Sequence, residues 1–194
     1  MQFRPVPVVL LALVLLGSCM LIRFNGIWDR TPIPGFVGSA LYEIKTAREH
    51  AAFASRLLAG PSAESVSVPV LGVSVEEVVD TYGEPRGADR RHEGIDIFAP
   101  RGTYIVSATE GIVARIGENR LGGTIVFILG PGGERYYYAH LDSVDPMLTV
   151  GQRVGTSTIL GRVGTTGNAA GTPPHLHFGI YGNGGARNPY ERLR

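Results

Sequence analysis

The chain has 194 residues, with 18 Lys and Arg against 17 Asp and Glu and a formal net charge of +1. That length suits one well-buried domain with an appendage and excludes two large domains. The balanced charge argues against a nucleic-acid partner, because phosphate neutralisation calls for a concentrated basic face, and the densest run, Arg86 to Arg91, holds only three arginines.

At the N-terminus Arg4 precedes an apolar run from Val6 or Val8 to Ile22, closed by Arg23. A positive start before such a run reads as an export signal. Two fates stay open for it. Leu16-Gly17-Ser18-Cys19 resembles a lipoprotein cleavage box, in which Cys19 would be lipidated. Met20-Leu21-Ile22 continue the apolar run past that cysteine and suit an uncleaved signal anchor, at roughly 17 residues the low end for a bilayer span. Either fate places residues 1–22 in or on a membrane and the remainder outside the cytoplasm. Cys19 is the sole cysteine, so no internal disulfide is available.

Residues 23–67 read as a linker carrying one helix. Pro32, Pro34, Gly26 and Gly35 break up its start, and Leu41, Ile44, Ala47, Ala51, Ala54 and Leu58 recur at helical spacing over about 39–59. Gly60-Pro61 supplies the stop. The narrow apolar stripe is expected to pack on the following domain or on a partner. His50, beside Glu49 on this helix, reads as a solvated residue without a role.

From Val68 to the C-terminus the texture changes to short β-type runs between glycine turns, as the 27 glycines and 13 prolines lead one to expect. The runs are Tyr104–Val106, Gly111–Ile116, Thr124–Leu129, Tyr136–His140, Thr158–Val163 and His175–Tyr181, with Pro131-Gly132-Gly133 as a hairpin turn. The fold class is therefore mainly β: an antiparallel sandwich or barrel-like sheet over 68–194, preceded by a membrane segment and one helix.

Four of the five histidines sit in settings that suggest chemistry. In His175-Leu176-His177 the strand alternation sends both imidazoles to one face and Leu176, Phe178 and Ile180 to the other. Such a pair can serve one metal ion, or divide metal binding and proton transfer; two polar residues on an exposed sheet face would look the same. His92-Glu93-Gly94-Ile95-Asp96 offers an imidazole and a carboxylate, both ordinary zinc ligands. A straight strand would separate them by roughly 13 Å, so a shared ion demands irregular backbone at Gly94. His140 ends a tyrosine-rich run, with Tyr136 and Tyr138 on its face by parity. No HExxH occurs, which excludes the helical zinc-protease arrangement. One Asp with several histidines from well-separated strands is what a catalytic zinc site with an open water position requires.

Together these stretches resemble the lysostaphin-type (LytM-like) zinc metallopeptidases. The matching segments are Arg90 to Ile97, Tyr137 to Leu141, Gly164 to Ala169, Pro173 to Phe178 and Asn188-Pro189-Tyr190, in the family's order. The resemblance implies His92, Asp96 and His177 as ligands of one zinc ion and His140 and His175 as the catalytic histidines. It also implies a β core of the duplicated-hybrid-motif type over 68–194. The activity implied is zinc-dependent cleavage of peptide bonds in bacterial peptidoglycan, in the cell envelope. Tyr136 or Tyr138 would be the partners that hold the imidazoles in orientation. Two rival readings are a wall-binding module that activates a partner hydrolase, for which an intact ligand set is unnecessary, and a histidine phosphoryl carrier, which the export segment disfavours.

Overall fold

The computed structural model describes residues 34–87 and 89–194, excepting the side chains at 34–38, 40 and 41. The expected export segment, residues 1–22 with Cys19, lies outside the described residues. Among these no helix is long and apolar enough to cross a membrane. Among the described residues the chain divides into two units after Thr46.

Among the described residues the one long helix, α1, runs Pro34–Ala59. It starts five residues before the expected 39 because a proline is well tolerated in a first helical turn, where its missing N–H has no partner to lose. The buried face also departs from expectation. Ile44 and Leu58 are exposed, and burial falls instead on Phe53 and Leu57, one turn apart in the second unit. The Arg153 guanidinium lies over the Phe53 ring, 3.9 Å from its centroid. This cation–π contact covers an aromatic ring that the periodicity of small alanines had concealed.

Nine strands follow: β1 (Ile95–Phe98), β2 (Tyr104–Val106), β3 (Gly111–Asn119), β4 (Gly123–Leu129), β5 (Arg135–Val144), β6 (Arg153–Val154), β7 (Ile159–Val163), β8 (His175–Gly182) and β9 (Gly185–Arg187). All pair antiparallel, with the main order β1-β8-β5-β4-β3-β6. β5 pairs with β4 and β8 along its first half and with β7 along its second. The sheet therefore forks at β5 and curls. The mainly β, antiparallel, barrel-like expectation is borne out.

One face of the curled sheet is the core. Ile95 and Ile97 of β1, Leu176, Phe178 and Ile180 of β8, and Val126 and Ile128 of β4 are essentially inaccessible. Each such side chain contributes roughly 1.5–3 kcal/mol by leaving water. Tyr136 and Tyr138 join them, and their hydroxyls are satisfied inside: the Tyr136 hydroxyl donates to Glu134, and the Tyr138 oxygen accepts from the Ala108 N–H at 2.9 Å. Glu134 is itself buried and held by Arg192, whose neighbour Leu193 pairs with Val66 and closes the chain's end onto the core. The opposite face of β1, β8, β5 and β4 is left to line a cleft.

Candidate metal centre and active site

Position 94 decides the local geometry. The backbone bends at Gly94 just before β1 begins. A β-carbon there would lie 2.5 Å from the Phe178 carbonyl oxygen and 2.9 Å from the His177 ring. Only glycine lets the chain turn this tightly against β8. The bend brings His92 back beside Asp96, and Asp96 faces His177 across the β1–β8 pairing.

The result is a compact triad. His92 Nε2 lies 2.8 Å from His177 Nδ1 and 3.1 Å from Asp96 Oδ1, and His177 Nδ1 lies 3.3 Å from the same oxygen. Two imidazole nitrogens and one carboxylate oxygen converge with no competing lysine ammonium, the donor set of a three-ligand zinc site. The residues fit such an ion. His92 Nδ1 donates to the Thr81 carbonyl at 2.8 Å, which fixes the tautomer and leaves Nε2 with its lone pair toward the triad.

Thr81 acts twice, since its hydroxyl oxygen accepts the Asp96 backbone N–H at 3.0 Å. Arg86 donates from Nη2 to Asp96 Oδ2, so one carboxylate oxygen is held by the guanidinium while Oδ1 faces the imidazoles. Burial alone would raise the Asp96 carboxyl, but hydrogen bonds with His177 and His92 outweigh it and hold the group well below the usual carboxylate range. The sequence reading gives neither Thr81 nor Arg86 a place at the site. Both lie in an aperiodic stretch, where only a threonine and an arginine six to eleven residues before the histidine could have hinted at them.

His140 and His175 stand beside the triad, their ring centroids 5.0 Å apart. His140 Nδ1 donates to the Thr166 carbonyl at 2.8 Å, and His175 Nδ1 donates to the Pro173 carbonyl at 2.9 Å. Each is thereby left with Nε2 as an acceptor, and that of His175 lies 3.9 Å from Asp96 Oδ1. Burial is the main cause that pushes His140 down to about 4, so it stays neutral across the physiological range. The Gly164–Ala169 loop explains itself here: the Thr166 hydroxyl donates to the Leu141 carbonyl and accepts the Thr124 N–H, which locks the carbonyl that holds His140.

His140 has φ 65, the sole positive value at a non-glycine among the described residues. Left-handed backbone at a residue of this kind marks a constrained position. It also breaks the strand's alternation, for β5 shifts register against β4 and β7 around this point. The expectation that Tyr136 and Tyr138 share His140's face is therefore wrong. Those two face the core, whereas Tyr137 shares the cleft with His140 and meets the His177 ring edge-on at 5.7 Å. Asn119 donates to its hydroxyl at 3.1 Å.

All five residues line one cleft of about 840 Å³. His50 is exposed on α1, away from it.

Residues 90–189, just over half of the chain, match Peptidase family M23. The chain belongs to that family. It is 37% identical over 125 residues to the L-Ala--D-Glu endopeptidase of Bacillus subtilis (strain 168), covering 59% of this chain and 38% of the relative. It is 34% identical over 103 residues to the peptidoglycan DD-endopeptidase ShyC of Vibrio cholerae, covering 53% of this chain and 23% of that protein. The match thus spans well under two thirds of either relative. Among solved structures, the catalytic domain of lysostaphin from Staphylococcus simulans superposes with a TM-score of 0.52 at 29% identity, over 59% of this chain and 91% of that one. The likeness to lysostaphin-type peptidases read from the motifs is borne out. Within this M23 fold, the matched interval carries every residue of the triad and both flanking histidines.

Proposed function

We propose that this M23 chain is a zinc metalloendopeptidase that hydrolyses peptide bonds in bacterial peptidoglycan. The observation that carries the reading is the convergence of His92 Nε2, Asp96 Oδ1 and His177 Nδ1 at one end of an open cleft, with two acceptor imidazoles beside them. His92, Asp96 and His177 would hold one zinc ion, which supplies Lewis-acid polarisation of the scissile carbonyl and brings the pKa of a water toward neutrality.

The protein's own groups do the rest. Arg86 and Thr81 fix the carboxylate and the His92 ring, so the donor atoms are set before substrate arrives. His140 and His175, both with a free Nε2, take the proton of the attacking water and return it to the departing amine. Burial keeps His140 unprotonated at neutral pH and so ready to accept.

The substrate assignment is supported by the relatives whose names specify peptidoglycan or an L-Ala--D-Glu bond. With that substrate the chain would act outside the cytoplasm, in the cell envelope, and the apolar run closing at Ile22 supports a tether to a membrane. Purified peptidoglycan digested with the full chain should release new amine-terminated fragments, whose masses identify the bond cut. Chelation should stop their release and zinc restore it. Release indifferent to chelation, or no release from a zinc-loaded chain, would overturn the proposal, and in the second case favour a non-catalytic wall-binding module.

A further inference from the structure

Asn188-Pro189-Tyr190 closes the series of motifs, and none of its residues belongs to the triad or lines the cleft. Its contacts lead back to the metal centre by another route. Thr81 serves that centre through its carbonyl, on His92 Nδ1, and its hydroxyl, on the Asp96 N–H. Thr81 lies outside every strand, so its position depends on what holds its neighbours. Both neighbours reach the end of the chain. Asp80 Oδ2 accepts from Asn188 Nδ2 at 3.0 Å, and the Tyr82 hydroxyl donates to the Ala186 carbonyl at 3.1 Å. Asp80 Oδ1 accepts the Tyr82 N–H at 3.0 Å, which joins the two tethers in one turn around Thr81.

The far side of this clamp is anchored. Arg187, the last residue of β9, pairs with Ile180 of β8, and Pro189 is buried. Between them Asn188 Oδ1 accepts the Tyr190 N–H at 3.0 Å. Asn188 thus uses both ends of one short amide: the oxygen closes its own turn, and the nitrogen grips Asp80. An aspartate could do the first but would set a second carboxylate against Asp80. Residues 80–82 are also the root of the excursion that carries Arg86. The Gly83 N–H donates to the His92 carbonyl and the His92 N–H to the Glu84 carbonyl, both at 2.8 Å. Thr81, His92 and Arg86 all depend on where this root sits.

We propose that Asn188 is a positioning residue for the metal centre: through Asp80 it fixes the turn from which Thr81 orients the His92 ring and the Asp96 backbone. The inference rests on the reading that His92, Asp96 and His177 hold a zinc ion, and it gives the closing motif a part in that site. Partners behind metal ligands set the direction in which the ligands point, and here that control extends one step further out. A motif that merely closed the chain would cost stability when altered but would leave Thr81 in place.

The test exchanges the two side chains in the full chain. Asn188→Asp alone brings two carboxylates together. Asp80→Asn alone turns one amide nitrogen toward another, because its oxygen is taken by the Tyr82 N–H. The double variant, Asp80→Asn with Asn188→Asp, restores the bond with donor and acceptor reversed, and each remaining oxygen keeps its turn. Zinc affinity is read by competition against a chelator. Each single variant should bind about tenfold more weakly, the scale of a lost partner behind a metal ligand, and the double variant should return close to wild type. In the metal-free chain, hydrogen exchange at the Asp96 amide is compared with that at Ile128 in central β4. The single variants should speed exchange at Asp96 relative to Ile128, and the double variant should reverse this; a global loss of stability would move both amides together. Single variants that bind zinc as wild type does, or that leave the exchange ratio unchanged, would overturn the proposal, as would a double variant no better than the singles. A wild-type chain that takes up no zinc would sink the metal reading instead, and the exchange ratio would still decide whether Asn188 positions Thr81.

Discussion

Gly94→Ala tests the bend on which the triad depends. The added β-carbon would sit 2.5 Å from the Phe178 carbonyl oxygen and 2.9 Å from two atoms of the His177 ring. An unstrained carbon–oxygen contact is about 3.3–3.6 Å, so the backbone contact alone must open by nearly 1 Å. The oxygen belongs to a central strand and cannot swing aside, since Phe178 pairs with both Ile95 and Tyr138. Relief has to come from moving β1 away from β8 or rotating the His177 ring, and each displaces a triad atom. Overpacking of this kind costs about 1–3 kcal/mol. For a chain of this size that lowers Tm by roughly 2–12 °C. Disturbing the orientation of the triad should also weaken zinc binding by about 10–100-fold. Gly155→Ala is the control, because nothing lies within 4 Å of its β-carbon position. The assay is thermal unfolding with and without zinc, combined with competition against a chelator of known affinity. If Gly94→Ala melts and binds zinc as Gly155→Ala does, the account of the bend is wrong.

Thr81→Val removes the hydroxyl that accepts the buried Asp96 N–H while sparing the carbonyl that holds His92. Unfolding should show a loss of about 1–3 kcal/mol, and zinc affinity, read by the same competition, should fall. Tyr138→Phe orphans the buried Ala108 N–H and should cost a similar about 1–3 kcal/mol in denaturant unfolding. Because Tyr138 faces the core, kcat/KM on wall peptides should be unaffected. His140, held down to about 4 against an ordinary 6.5, stays neutral in the folded protein where the unfolded chain already binds a proton. Stability must therefore decline as pH falls from about 6.5 toward 4. His140→Asn, measured by Tm across that interval on metal-free protein, should show a shallower decline; parallel curves would refute the assignment.

Much of the fold could be read from the chain because strand alternation is a strong signal wherever one face is buried. His175 to Tyr181 shows this, with Leu176, Phe178 and Ile180 in the core as the period of two demands. The residues that the structure gathers into the triad came from the family resemblance, while the scarcity of histidine, five in the chain, drew attention to their motifs and a requirement for bent backbone singled out Gly94. The failures have local causes. Parity broke at His140 because one residue in left-handed backbone reverses every assignment before it, which hid Tyr137 and promoted Tyr136 and Tyr138. The helix face was misread because two large residues, Phe53 and Leu57, take the burial that a longer row of alanines seemed to claim. Thr81 and Arg86 act through a loop carbonyl, a hydroxyl and a guanidinium set by tertiary contact, and no periodicity announces such contacts.

Crystals of the zinc-loaded chain, measured on both sides of the zinc absorption edge, put the central claim to the most direct test. The account requires one anomalous peak per chain, at about 2.0–2.2 Å from His92 Nε2, Asp96 Oδ1 and His177 Nδ1 together. A peak bound elsewhere, or none at full zinc loading, would contradict it.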